Sequence, residues 1–264
     1  MQAYRGLPIL TNQSSRPARL VAIWPLDHEG SVGEYTALAH AAIDEILASG
    51  RTPVVVGGTG LYLRAALAEL RLPASSDERG RWEAFYDSEG GEAAHEHLAL
   101  LDSAAAARVH PNDRRRVVRA LELVAAGASL APDEDRLWSE ETRHPTLVFA
   151  LEVPKEELER RIEARTRAMF ESGVAEEARR ALAGPLSATA RKTLGLEEAA
   201  TLPPEEARAA VAARTRRYAA YQRKWMRRIP GLVSVRADRP AGEVADDILE
   251  VARARQHLPA RRAG

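Results

Sequence analysis

The sequence predicts an α/β fold, a parallel sheet flanked by helices with an all-helical insertion, and three observations predict it. Short apolar runs at 19–24, 53–56, 146–153 and 232–235 read as buried strands. Long segments rich in Ala, Leu, Arg and Glu lie between them and read as helices, an alternation that favours a parallel sheet. From 72 to about 142 no strand pattern occurs, so residues 73–142 are expected to form the helical insertion and 1–72 with 143–264 the core. At 264 residues, 45% hydrophobic and 29% charged, the chain is long and apolar enough to build such a core and is not a disordered segment.

Taken in order, the run 19–24 supplies the first strand and Pro53-Val54-Val55-Val56 the second. The second is followed by Gly57-Gly58-Thr59-Gly60 and a helix start at 61–67, a strand–turn–helix junction of the kind that faces the ligand crevice in open α/β sheets. Within the insertion, helices are expected at 77–86, 92–101, 103–109 and 113–125, separated by Gly90-Gly91, Asp102-Ser103 and Pro111-Asn112. After the strand at 146–153, Pro154 fits the first turn of a helix over 155–171, where its missing donor would be unpaired anyway. Helices at 174–182, 192–200 and 204–228 follow, and the basic end beyond Pro259 is expected to fray.

Lys+Arg and Asp+Glu are both 38, so no global field marks a nucleic-acid binder and any such role must come from local clusters. Three of the basic residues are lysines, Lys155, Lys192 and Lys224, and none follows glycine. A P-loop of the form Gly-x-x-x-x-Gly-Lys-Ser/Thr is therefore absent from these residues. The chain has no cysteine, which excludes disulfides, thiolate metal sites and a Cys nucleophile. His28, His95, His97, His110 and His144 show no metal-ligand spacing and read as turn or surface residues. No run approaches the ~20 apolar residues that span a bilayer, so a cytoplasmic protein without a membrane partner is expected.

Two basic clusters stand out. In His110-Pro111-Asn112-Asp113, Asn112 or Asp113 can cap a helix on which Arg115 and Arg119 share a face, with Arg114 and Arg116 beside them. That stripe is either a salt-bridged solvated surface or a phosphate-binding one. Residues 214–228 hold seven cations and no acid, interleaved with Tyr218, Tyr221 and Trp225. Their spacing favours the core for the three rings and phosphate for the cations. Arg161 and Arg165 lie four apart, but by spacing alone Glu157 and Glu163 make them ordinary helix-surface partners. The turn 57–60 could approach an anion or be merely structural.

These blocks, Met1-Gln2-Ala3-Tyr4-Arg5-Gly6-Leu7, Gly57-Gly58-Thr59-Gly60-Leu61-Tyr62, His110-Pro111-Asn112-Asp113, Arg161-Ile162 with Arg165 and Met169, and Thr215-Arg216 with Gln222 and Trp225, together resemble the tRNA dimethylallyltransferase family. The resemblance implies a P-loop-NTPase-like, nucleotide-binding (ATP-type) core and Mg2+. It also implies transfer of a dimethylallyl group from dimethylallyl diphosphate to the exocyclic amine of the adenosine 3′ of the anticodon. It further implies a monomer whose partner is the tRNA anticodon stem-loop, with the target base flipped out so that its amine is reachable. On that basis Thr59 and Arg165 are the catalytic candidates, and Arg165 and Arg216 bind diphosphate. Met1, Gln2, Arg81, Arg115, Arg116, Arg119, Lys192, Gln222, Arg223, Lys224 and Arg227 face tRNA.

The departures are as specific as the matches. The family pattern opens with a P-loop strand and then an Asp-Ser-x-Gln block whose Asp is the base, and this chain starts after both. Leu10-Thr11-Asn12-Gln13-Ser14 stands where Gly-Thr-Ala/Asn-Lys-Pro is usual, Ala18-Arg19-Leu20-Val21-Ala22 where His-His-Leu-Ile-Asp is usual, and Leu196 where a tyrosine follows glycine. A start placed inside a longer reading frame is the expected reason, and whether the 264 residues turn over without those blocks is a question for a transfer assay. A non-catalytic RNA-binding remnant is the alternative, and a nucleotide-kinase-like protein using 57–60 a weaker third reading.

Overall fold

The computed structural model describes residues 2–70, 78–131 and 139–256, so the expectations for Met1 and for the basic end lie outside the described residues. In chain order the elements are α1 (Val32–Ala48), α2 (Gly60–Leu67), α3 (Arg79–Glu89), α4 (Gly91–Leu101), α5 (Ser103–Ala106), α6 (Arg114–Ala125) and β1 (Phe149–Glu152). They continue with α7 (Lys155–Glu171), α8 (Val174–Ala183), α9 (Ala188–Arg191), α10 (Leu196–Thr201), α11 (Pro204–Met226), β2 (Val233–Arg236) and α12 (Ala241–Gln256). The chain forms two compact units, Met1–Ala68 with Glu140–Gly264, and Glu69–Ser139.

The larger unit is α/β, with a sheet of two parallel strands, β1 and β2, in the register Phe149↔Val233 to Glu152↔Arg236. Only these two of the four expected strands form among the described residues. The run 19–24 contributes a single parallel bridge, Trp24 to Tyr4, because Leu20 and Ala22 take left-handed backbone angles (φ 64° and 53°) that no strand can contain. The run 53–56 is irregular, with Val54 and Val56 left 83% and 87% exposed. A buried strand needs a neighbour for its backbone donors and acceptors, and none of the described residues pairs with this one.

The helices follow the sequence more closely. Pro154 is the N-cap of α7 and not a residue of its first turn, its ψ of 148° being extended. The expected helix 192–200 is broken: Gly195, at φ 85°, ends the turn after α9 and starts α10. An added Cβ there would lie 3.0 Å from Val211 Cγ2, so the close approach of α11 also requires glycine. Leu7, Leu10, Met169, Val174, Leu196 and Val211 bury one cluster of this unit. Each such aliphatic side chain contributes roughly 1.5–3 kcal/mol on leaving water.

Within that cluster Glu177 of α8 is buried and accepts from two backbone donors, Leu10 N at 2.8 Å and Ile9 N at 3.0 Å. It ties the N-terminal segment to α8 and satisfies one buried and one partly buried backbone donor. Glu177→Ala is expected to lower stability by about 1–3 kcal/mol, since it strands one buried N–H group, that of Leu10, and one partly buried, that of Ile9. A urea midpoint unchanged from the parent would show that the segment is held by packing alone.

The smaller unit is helical among its described residues. Val117, Val118 and Leu121 of α6 bury with Leu98 of α4 and Trp82 of α3. Asp113, the second of the two expected caps, accepts from Arg116 N at 3.2 Å and starts α6. His95 faces Ala106 O at 3.0 Å and Val109 O at 2.9 Å, a structural bridge from α4 to the loop after α5. Among the described residues no helix is long and apolar enough to cross a membrane.

Candidate functional site

The glycine turn packs on one face of α11. Residues i, i+4 and i+7 of a helix share a side, and at 218, 222 and 225 these are Tyr218, Gln222 and Trp225. Gln222 Nε2 donates to Gly58 O at 2.9 Å and Tyr218 OH donates to the same carbonyl at 3.1 Å. The Thr59 and Tyr218 hydroxyls lie 2.8 Å apart. Either hydroxyl of this pair can be the donor, and in both cases the Thr59 oxygen keeps a lone pair that can accept. Thr59 is also the N-cap of α2, with its hydroxyl turned away from the helix amides. One glycine is dictated by this packing: an added Cβ at Gly60 would sit 2.7 Å from Trp225 Cδ2, whereas at Gly58 it would meet the mobile amide end of Gln222.

α7 packs against α11 and carries the arginines. Arg161 is held by Glu157 at 2.6 Å and by Ala237 O at 3.2 Å, the salt-bridged arrangement its spacing suggests. Arg165 departs from that expectation: Glu163 pairs instead with Arg216 of α11 at 2.8 Å, and no described carboxylate bridges Arg165. Its side chain reaches solvent, yet surrounding protein desolvates the head enough to pull its pKa below the usual arginine value. Arg216, the second expected diphosphate ligand, is thus an ion-pair partner in this structure.

The remaining candidates are placed as follows. Gln222 is engaged with the turn instead of facing solvent, whereas Arg223 and Lys224 on α11 and Arg227 at its C-cap are exposed with no described ion pair. Arg214 is bound to Glu198. Tyr221 corrects the assignment of all three rings to the core: Trp225 is buried and Tyr218 half-buried, but Tyr221 is 60% exposed. Lys192 caps α9 at the surface. Glu29 there would be raised by burial, but the Thr189 hydroxyl, the 188 and 189 amides and Lys192 hold it below the usual carboxylate range. The Gln2 amide donates to Thr11 O and Asn12 O at 2.9 and 2.8 Å, closing its own loop. In the smaller unit Arg115 and Arg116 are exposed without a described carboxylate, while Arg119 pairs with Glu122, Arg114 with Asp87 and Arg81 with Glu78. The basic stripe is therefore part salt-bridged and part open. Arg81 also lies over the Trp82 ring at 5.0 Å. Among the described residues no group of three or more His, Asp or Glu is placed to hold a metal ion, so no protein cage for the expected Mg2+ is formed by them.

Sequence reasoning missed the Tyr218 bridge to the turn. The one-sided spacing of 218, 222 and 225 marks a packed face, but it carries no information on which backbone the face meets.

Comparison with known proteins bears on the same turn and helices. The family described as IPP transferase matches residues 2–229. A tRNA dimethylallyltransferase of Anaeromyxobacter dehalogenans is 40% identical over 88% of this chain and 82% of its own length. The crystal structure of a tRNA isopentenylpyrophosphate transferase from Bacillus halodurans is similar over 97% of this chain and 88% of its own, at 28% identity and a TM-score of 0.63. A eukaryotic dimethylallyltransferase acting on tRNA shares the fold, with a TM-score of 0.75 at 22% identity over 100% of this chain and 74% of its own.

Proposed function

This chain belongs to the IPP transferase family of transferases, and from that premise we propose that it acts on tRNA as a dimethylallyltransferase. The reaction is transfer of a dimethylallyl group from dimethylallyl diphosphate to the exocyclic amine of the adenosine 3′ of the anticodon. In it the allylic C–O bond breaks, a C–N bond forms at that amine, and the amine loses a proton. The observation that carries the reading is the pinned turn: Gln222 and Tyr218 hold Gly58 O, and the Thr59 hydroxyl is fixed 2.8 Å from that of Tyr218, so a hydroxyl oxygen with a free lone pair is held in place to receive an N–H of an incoming amine. Arg165 is the cation proposed for the diphosphate, whose negative charge grows as the allylic bond breaks, and a preorganised donor acts most strongly on such developing charge. Mg2+ belongs to the same proposal as an ion carried on the diphosphate, because Mg2+ keeps several waters and takes ligands from substrate phosphates. Exposed Arg223, Lys224 and Arg227 in one unit, and Arg115 and Arg116 in the other, are the proposed phosphate contacts of the anticodon stem-loop.

The experiment is a transfer assay with labelled dimethylallyl diphosphate and unmodified tRNA, run beside a tRNA-binding measurement. Incorporation of label at the adenosine next to the anticodon is the expected result, and absence of both binding and turnover would overturn the reading. Binding without turnover is the outcome of a second reading, an RNA-binding member of the family without transfer.

A further inference from the structure

The exposed ring of Tyr221 has no role in the reading above, and its position on α11 is informative. Successive residues advance about 100° around a helix, so Tyr221 lies about 40° from Trp225, which seats Gly60, and about 40° on its other side from Arg217. Lys224 follows Arg217 on that same side. Arg217 and Lys224 are exposed, and no described carboxylate bridges either. The ring therefore stands at the border between the face that holds the Gly58–Thr59 turn and a face of open cations. Tyr221 is 60% exposed, and flanking cations with no acid repel a basic partner and suit an anionic one.

We propose that Tyr221 is a stacking platform for an unpaired base of the anticodon loop, with Arg217 and Lys224 holding the phosphates on either side of that base. The inference rests on the tRNA reading above and deepens it by assigning a positioning residue. An aromatic face flanked by cations is the arrangement that binds single-stranded nucleic acid, since every base offers a π-face and every linkage a charge. Seated there, one base fixes the loop beside the turn, so that a neighbouring base taken out of the stack is brought toward Thr59.

The test is binding of an anticodon stem-loop to the full chain across a salt series, with unfolding curves for each variant. Tyr221→Ala is expected to bind about 10- to 100-fold more weakly with an unchanged slope of log K against log salt. Tyr221→Phe and Tyr221→Trp are expected to bind as the parent does. Arg217→Gln and Lys224→Gln are each expected to reduce the slope by about 0.7, the value for one phosphate of a single strand. Affinity of Tyr221→Ala within twofold of a binding parent, or a Tyr221→Phe as weak as the Ala variant, would overturn the platform while leaving the tRNA reading intact. Intact RNA affinity with altered sedimentation of Tyr221→Ala would assign the ring to a contact between copies and also overturn it. A parent chain that does not bind the stem-loop removes both.

Discussion

Arg165→Gln is expected to lower kcat/KM for dimethylallyl diphosphate by about 10²–10³, some 2.7–4 kcal/mol of transition-state stabilisation, the usual loss on removing one preorganised donor. Arg161, one turn earlier, is neutralised by Glu157 and anchored to Ala237 O, whereas the acid nearest in spacing to Arg165, Glu163, is taken by Arg216. The protein around Arg165 lowers its pKa by desolvation, but an arginine stays protonated at neutral pH, so the charge is present and uncompensated. An unpaired, partly desolvated cation is unfavourable in the free protein. It is relieved when an anion arrives, and relieved further as the departing diphosphate gains charge. Two measurements separate this from a structural role. The Gln variant should unfold at the parent's midpoint or above it, because the substitution removes an uncompensated charge and no ion pair. Arg165→Lys, which keeps the charge and loses the planar fork, should fall between parent and Gln. A Gln variant with kcat/KM within threefold of the parent, or one that is merely less stable, removes Arg165 from the site.

The contrast between Arg165 and Arg216 shows where the sequence stopped being informative. Spacing on α7 correctly pairs Arg161 with Glu157, an interaction within one helix that periodicity can see. Whether Glu163 would turn to Arg165 or to another helix depends on how α7 packs against α11, which no local rule contains. Similarly, α7, α8 and α11 were legible because a buried stripe at helical period and acidic first turns act within each segment. Strands are a relation between segments. Val54 and Val56 have the composition of a buried strand, but in these residues they meet no partner and stay in water. Leu20 and Ala22 adopt positive φ although nothing in their identity favours it. The ring assignments failed for the same reason: Tyr218, Tyr221 and Trp225 fit one stripe, yet only two of the three sit where α11 meets the turn.

Gly60→Ala is expected to cost about 1–3 kcal/mol of stability and about 100-fold in transfer rate, against the ordinary rule for helices. By propensity alone alanine should gain roughly 1 kcal/mol over glycine in a helix. Here the added Cβ would lie 2.7, 2.9 and 3.0 Å from Cδ2, Cε3 and Cγ of Trp225, a ring only 6% exposed that cannot swing aside as a flexible chain end does. Relief comes by lifting the start of α2 away from α11, which breaks the bond from Gln222 to Gly58 O and separates Thr59 from Tyr218. Misplacing a positioned group by about 1 Å costs on the order of 10² in rate. The neighbouring glycines make the prediction graded. Gly58→Ala meets Gln222 Nε2 at 2.1 Å, the mobile end of a side chain, so it should lose one hydrogen bond, about 1 kcal/mol, and a smaller share of the rate. At Gly57 the nearest atom is Leu63 Cδ1 at 4.0 Å, ordinary contact, and alanine should be tolerated. Kinetics and unfolding of the three variants test the order, and Gly60→Ala combined with Trp225→Leu tests the cause. Because the leucine leaves room for the new methyl group, the double variant should be less impaired than the sum of the two single changes. Additive losses would mean that the Cβ and the indole do not meet, and the docking of the turn on α11 would then not be what holds Thr59 in place.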